Sequence, residues 1–287
     1  MLLAVLGAGT MGAGIAYVAA RAGIETRLHD AGDEALAGGL RRVEGDLAGA
    51  VARGKLDAAA AEAARARLTA VPRLEEAAAG ADLVIEAVVE DMAVKRGLVA
   101  AVEPLVGADA VIATNTSALS VTEIMAALAD PGRGVGMHFF NPVRAMRLCE
   151  LVIGLETRAS TVAVAESAAR GMGKETVRVR DVPGFATSRI NAVIGNEAFF
   201  MLAEGVASAE DIDTAVRLGL NHPMGPLEMA DLVGLDVRLA VLGELRRSLG
   251  DKYRPAPLME QYVKAGRLGR KTGRGVYTYD PEGNRVS

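Results

Sequence analysis

Three histidines stand in 287 residues, and an imidazole is the side chain best suited to take up and return a proton near neutral pH. His138 closes the apolar run Gly134–Phe139 and is followed by Phe140-Asn141-Pro142. Further on, Glu150 sits within Cys149-Glu150-Leu151-Val152, a carboxylate in an otherwise apolar stretch. Such a carboxylate is costly to bury unless it is paired. A turn at Asn141-Pro142 would fold the second run back beside the first. A Glu–His pair would then fix the imidazole tautomer and raise its basicity. The alternative is a solvent-facing glutamate on an edge strand. Asn115-Thr116-Ser117, just past another strand, either adds small hydrogen-bonding groups at the same sheet edge or caps a helix. The chemistry these groups suit is proton exchange with an alcohol that is being oxidised.

Oxidation of an alcohol requires a redox partner, and the N-terminus offers a place for one. Gly7-Ala8-Gly9-Thr10-Met11-Gly12 follows the apolar run Leu2–Leu6 and opens a small-residue helix. In this context Gly7 allows the tight turn, Gly9 lets the backbone approach a pyrophosphate, and Gly12 lets the helix pack on the sheet. Thr10 and Met11 complete the loop. Asp30 then ends the second strand, where a carboxylate accepts from ribose hydroxyls. It would repel a 2′-phosphate, and Ala31-Gly32 follow it rather than an arginine. NAD is therefore the expected cofactor. The other reading of Asp30 is a cap on the next helix. His29 is expected to flank the adenosine pocket, and His222, in Asn221-His222-Pro223, to be a loop or packing residue.

The elements that must hold these groups alternate. Strands are expected over 2–6, 24–29, 82–88, 110–114, 134–139, 149–153 and 175–179. Helices are expected over 13–21, in a pair within 34–68 broken near Gly54, and over 93–106, 122–128 and 160–172. The alternation predicts a Rossmann-type, mainly parallel α/β sheet domain covered on both faces. After Pro183-Gly184 every periodic segment reads as helix, so residues 1–182 form the expected NAD-binding domain. Residues 183–287 form an all-helical domain for substrate binding and dimerisation. Ile190, Val193, Ile194, Met201 and Leu202 share one helical stripe. Ser208-Ala209-Glu210-Asp211 resembles a capping box, and 227–249 and 258–265 are expected as further helices.

Composition sets outer limits. The net charge is −4 and aromatic residues make up 3%, against the basic, aromatic-bearing surfaces of nucleic-acid binders. One cysteine cannot close an internal disulfide, and no Cys/His spacing suits zinc, so no metal is expected. No stretch approaches a membrane span or a signal peptide, and a cytoplasmic protein is expected. Phe139, Phe140, Phe185, Phe199 and Phe200 are the only phenylalanines, and they are expected to line an apolar substrate cleft.

With these motifs in order, the sequence resembles the L-3-hydroxyacyl-CoA dehydrogenase family, whose short bacterial members act on 3-hydroxybutyryl-CoA. The resemblance runs from GAGTMG through NTSALS, GMHFFNPV, LCELV, DVPGFATSRI and HPMGPLEMADLVGLD to GRKTGRGVYTY. It implies an acyl-CoA substrate and a homodimer. It implies His138 as general base and acid, Glu150 as its partner and Ser117 as a hydrogen-bond donor to the substrate oxygen. It places Glu90, Lys95 and Asn141 toward the nicotinamide end, and Asn115 joins that set at the sheet edge. Arg53 matches a lysine position on a CoA-contacting helical hairpin, where Arg41, Arg42 and Lys55 add positive charge; solvated surface charge is the other reading. One position departs from the family pattern. Where the family often reads Gly-Phe-x-x-Asn-Arg and uses that Asn to hold the thioester, this chain has Ser188, a single hydroxyl in place of an amide. Asn191, one helical turn on, is a second candidate. The substrate is expected between the domains, with Pro183-Gly184 as a flexing point. A dehydrogenase of free hydroxyacids or sugar acids, of the gulonate type, is an alternative. A non-catalytic NAD-binding protein is another.

Overall fold

The structure is a computed structural model and describes residues 1–286. The chain divides into two compact units, Met1–Val182 and Pro183–Ser287.

The first unit contains, in order, β1 (Leu2–Leu6), α1 (Thr10–Arg21), β2 (Glu25–His29), α2 (Asp33–Ala52), α3 (Ala58–Ala66), β3 (Leu68–Ala70), α4 (Leu74–Ala78), β4 (Leu83–Glu86) and α5 (Met92–Val102). It continues with β5 (Val111–Thr114), α6 (Val121–Met125), β6 (Gly134–Phe139), β7 (Leu148–Ile153), α7 (Ala159–Gly171) and β8 (Glu175–Arg180). The eight strands form one sheet in the order β3-β2-β1-β4-β5-β6-β7-β8. The order in which successive strands are added reverses at β1 and β4, which creates the crevice where open α/β sheets bind ligands. Strands β1, β4, β5 and β6 are buried on both faces, and the near-continuous Val, Leu, Ile and Ala content of the first three follows from that. Helix α1 buries Ile15, Ala16 and Ala19 against the sheet.

Neighbouring strands are parallel except β6 and β7, which run antiparallel. A parallel return needs a crossover of about a dozen residues or more. The connection 140–147 is too short for one, so β7 must come straight back. Two elements escape the sequence expectation, β3 and α4. Both are very short and lie between Ala-rich segments that carry no clear period. The expected strand 82–88 stops at Glu86, because the chain turns over 87–91 to start α5.

The second unit holds α8 (Thr187–Glu204), α9 (Ala209–Gly219), α10 (Pro226–Val233), α11 (Leu235–Leu249) and α12 (Pro257–Lys264) around Phe199, Leu227, Leu242, Leu245 and Met259. Ser208 caps α9: its hydroxyl accepts from the Asp211 N–H (3.1 Å) and donates to the Asp211 carboxylate (2.8 Å). The single helix expected over 227–249 is two, because Gly234 adopts φ +103°, a conformation that side-chain-bearing residues rarely take. The unit is not helical to its end. Residues 269–285 make isolated β-bridges, and this segment is tied down by two buried carboxylates. Asp231 accepts from the Val276 and Tyr277 N–H groups, and Asp213 accepts from the Tyr277 hydroxyl.

The apolar stripe expected to face the core of α8 does not. Ile190 is 61% exposed and Val193 40%, whereas Ala192, Gly195, Asn196 and Phe199 are buried. Small side chains win that face because they let neighbouring helices come close. Asn196 is satisfied there, donating to the Arg254 carbonyl (3.0 Å) and accepting from the Ala256 N–H (2.8 Å). The phenylalanines are reassigned too. Phe139 and Phe199 are core residues, and Phe185 is buried ahead of α8 with φ +48° rather than within the helix.

Candidate active site

The antiparallel return of β7 sets His138 directly opposite Glu150 in register. Opposed residues of such a pair bring their Cβ atoms within about 5 Å on one face. The His138 Nδ1 lies 2.8 Å from the Glu150 carboxylate. Glu150 is fully buried and His138 is 6% exposed, so the contact is shielded from solvent screening. The Phe140 ring packs on the imidazole, with centroids 4.3 Å apart at 46°. The carboxylate therefore orients a histidine at the carboxyl end of a central strand, and the edge-strand alternative for Glu150 is excluded.

The loop after β5 carries Asn115, Thr116 and Ser117. Asn115 Oδ1 accepts from the Phe139 N–H (3.0 Å), which fastens this loop to the strand end bearing His138 and leaves the Nδ2 donors for a ligand. Ser117 is exposed. Its N–H donates to Glu90 Oε1 (2.9 Å), and its hydroxyl lies 3.3 Å from the same oxygen. Thr116 donates to it as well (2.6 Å). The helix that follows is capped by Ser120, not by this trio. Glu90 is thus a local anchor for Ser117. Lys95 is fully buried, with its Nζ 2.8 Å from Glu86 and 3.4 Å from Glu90. It supports Glu90 from within and presents no surface of its own.

The glycine loop has the shape a dinucleotide requires. Gly7 has φ +104°, and a Cβ there would meet the Ala87 carbonyl oxygen at 2.6 Å. A Cβ on Gly12 would collide with the Gly7 carbonyl, whereas one on Gly9 would meet nothing within 4 Å. Gly9 therefore faces open space at the N-terminus of α1, where backbone N–H groups and the helix dipole favour phosphate. Asp30 Oδ2 accepts from the Ala8 N–H (2.8 Å) and Oδ1 from the Gly32 N–H (3.1 Å), so it braces the loop and makes no side-chain cap on α2. These residues fit NAD. His29, the residue before Asp30, is 7% exposed, with its Nδ1 3.0 Å from the Val71 carbonyl.

Thr10 and Asn141 line one cavity of about 400 Å³ together with Arg42 and Arg144. The Arg42 guanidinium donates to the Ala8 carbonyl (3.2 Å), so it belongs to the glycine loop and not to the end of the helical hairpin. Arg53, at the C-terminus of α2, is exposed and is not brought near these groups. In the second unit a cavity of about 400 Å³ is lined by Thr187, Ile190, Asn191, Ile194, His222 and Met224 among others. The helical spacing puts Asn191 on that face, and Ser188 is not part of the lining.

Sequence reasoning missed Glu86 as part of this site, and it read Arg42 as charge toward CoA rather than as a partner of the glycine loop. Glu86 reads as one more residue of an apolar strand. The one available signal was the same as for Glu150, a carboxylate among aliphatic residues at a strand's carboxyl end. Among the described residues no group of three or more His, Cys, Asp or Glu is placed to hold a metal ion.

Comparison with known proteins bears on both units. Residues 2–182 match the NAD binding domain of 3-hydroxyacyl-CoA dehydrogenase, and residues 184–279 match its C-terminal domain. A probable 3-hydroxybutyryl-CoA dehydrogenase of Bacillus subtilis is 44% identical over 277 residues, 96% of each chain. A 3-hydroxyadipyl-CoA dehydrogenase of Escherichia coli is 41% identical over 99% of this chain and 60% of its own. The crystal structure of an (S)-3-hydroxybutyryl-CoA dehydrogenase from Ralstonia eutropha superposes with a TM-score of 0.94 at 42% identity, covering 97% of this chain and 99% of that one.

Proposed function

The chain belongs to the 3-hydroxyacyl-CoA dehydrogenase family, and from that premise we propose that it interconverts an L-3-hydroxyacyl-CoA, typically 3-hydroxybutyryl-CoA, and the 3-ketoacyl-CoA, using NAD. The observation that carries this reading is the buried 2.8 Å His138–Glu150 contact in the same sheet as a glycine loop that fits a dinucleotide.

NAD, when bound, supplies the two-electron redox chemistry. Gly7, Gly9 and Gly12, with the N-terminus of α1 at Thr10 and Met11, hold its phosphates, and Asp30 accepts from its ribose. Glu90, Asn115 and Asn141 contribute on the nicotinamide side. In oxidation His138 takes the substrate hydroxyl proton at Nε2, and Glu150 stabilises the imidazolium that results. In reduction the imidazolium returns that proton to the keto oxygen. Ser117 orients this oxygen by hydrogen bonding, with its backbone fixed by Glu90. Asn191, on the cavity-lining face of α8, takes the substrate role that the family gives to an asparagine at the position of Ser188. Arg53 is assigned a long-range electrostatic role toward the CoA phosphates.

The test is NADH oxidation with acetoacetyl-CoA, longer 3-ketoacyl-CoAs and free 3-ketoacids. Acetoacetyl-CoA is expected to give the highest kcat/KM. A free ketoacid outperforming every CoA ester points to the gulonate type, and NADH binding without turnover on any of them points to a non-catalytic protein.

A homodimer and a cytoplasmic location complete the proposal. The dimer is supported by the exposed apolar side chains Ile190, Val193, Leu232, Val233 and Val237, which are 40–61% exposed on three helices that pack on one another. The location is supported by dependence on NAD and CoA thioesters, which are held inside cells. No described helix is long and apolar enough to cross a membrane.

A further inference from the structure

The Glu86 carboxylate touches none of the groups assigned to chemistry, although the backbone carbonyl of Glu86 accepts from the Asn115 N–H (2.7 Å), and the carboxylate is fully buried at the end of β4. Oε1 accepts from the Val88 N–H (2.7 Å) and from Lys95 Nζ (2.8 Å), and Oε2 accepts from the Thr114 hydroxyl (2.5 Å) on the neighbouring strand. Lys95 is itself fully buried and has two carboxylate neighbours, Glu86 and, at 3.4 Å, Glu90. The Glu90 side chain is 39% exposed and would be free to turn to solvent without that cation behind it. It instead points inward and receives the Thr116 hydroxyl and the Ser117 N–H.

A buried ion pair is a poor stabiliser, since neutral side chains of similar volume commonly do as well or better. The fold alone therefore gives no reason to keep both charges. What the pair does is hold one cation at a fixed point below Glu90. Thr114 and Val88 fix Glu86, Glu86 fixes Lys95, Lys95 fixes Glu90, and Glu90 fixes the backbone and hydroxyl of Ser117. We infer that Glu86 is a positioning residue for the reaction, acting through Lys95 and Glu90 to set the place of Ser117.

The inference rests on the proposed function only for its kinetic arm, so its test carries a second arm that needs no substrate. Glu86→Gln, Lys95→Met and the double variant are compared with wild type. Lys95→Met leaves the buried Glu86 carboxylate without its cation, and Glu86→Gln leaves Lys95 only the more distant, partly exposed Glu90, so each single variant is expected to lower the melting temperature. The double variant removes both charges and is expected to recover it. In the double variant Glu90 has lost its anchor. Amide hydrogen exchange over residues 115–119 should then be about tenfold faster than in wild type despite the recovered stability. With acetoacetyl-CoA and NADH, kcat should fall about tenfold or more, a larger change than in KM for acetoacetyl-CoA. A double variant with wild-type exchange at Ser117 overturns the inference, whatever the substrate proves to be. So does a double variant with wild-type kcat, which would show that the network serves only its own burial. A wild-type protein inactive on every acyl-CoA counts against the proposed function and leaves the exchange measurement to decide the inference.

Discussion

His138 and Glu150 face each other across the one antiparallel strand pair of the sheet, with Nδ1 2.8 Å from the carboxylate. The pairing is a consequence of loop length, because a connection as short as 140–147 cannot carry a crossover. Replacing His138 with Gln should reduce turnover of acetoacetyl-CoA by on the order of 10²- to 10⁴-fold, the range for loss of a general acid–base. NADH binding, followed by nucleotide fluorescence, should persist. Glu150→Gln should cost less, since the imidazole remains but its orientation and the imidazolium are no longer supported. Turnover close to wild type in His138→Gln would remove the histidine from the mechanism.

Asp30 performs two tasks that a substitution separates. It braces the glycine loop through the Ala8 N–H and, in the proposed function, excludes a 2′-phosphate by charge. Asp30→Ala should raise KM for NADH by about 10- to 100-fold, the worth of a hydrogen bond to a charged group. It should raise KM for NADPH much less, so the preference narrows. An unchanged ratio of the two kcat/KM values would count against the ribose assignment.

Asn191 lines the cavity on the second unit and Ser188 does not. Asn191→Ala should therefore raise KM for acetoacetyl-CoA about five- to tenfold, as expected for one lost hydrogen bond, whereas Ser188→Ala should change it less than twofold. The opposite order would return the substrate role to Ser188.

Lys174 staples the loop that carries Asn141: its Nζ donates to the Val143 carbonyl (2.5 Å) and the Met146 carbonyl (2.8 Å). It makes no ion pair among the described residues, and burial pushes its ammonium below the usual lysine range. The folded state then releases this proton at lower pH than the unfolded chain, so the unfolded chain binds more protons across that window. The contribution of Lys174 to stability accordingly rises with pH up to the ordinary lysine value. A neutral amine still offers two N–H groups to the two carbonyls. Urea titrations at pH 7 and pH 9.5 should show Lys174→Met destabilising more at the higher pH. A smaller effect at pH 9.5 would refute the assignment of a burial-strained ammonium.

The exposed face of α8, α10 and α11 gives the last prediction. A charge placed at its most exposed member, Ile190→Asp, should leave the monomer fold intact, because Ile190 is 61% exposed. It should convert the protein to a monomer by light scattering. A variant that remains dimeric would move the interface elsewhere.

Much of the site was legible in the sequence because it depends on strand ends. The order of strand, glycine loop, helix, strand and Asp30 follows from residue type alone. So does the placement of His138 at a carboxyl edge, since every strand end of a parallel sheet faces the same way. The capping serine of α9 was equally local. What failed was any inference needing to know which neighbour approaches. Apolar periodicity chose Ile190 and Val193 for the core of α8, but helix–helix approach selected Ala192, Gly195 and a hydrogen-bonded Asn196. A continuous apolar pattern over 227–249 hid the break that the φ of Gly234 imposes.

The sequence by itself determined the chemistry available: one histidine at a sheet edge, one buried-strand glutamate, one dinucleotide loop. Only the tertiary structure decided how those groups are held. Lys95 and Glu90 are five residues apart, which places them near each other on any helix start, but nothing local tells that Lys95 turns inward to Glu86. That depends on β4 and β5 lying side by side, which brings the Thr114 hydroxyl up against a carboxylate nearly thirty residues earlier. Buried charges are settled by the partners that three-dimensional packing supplies, because desolvation makes a charge without ion-pair or hydrogen-bond partners costly and a partnered one fixed.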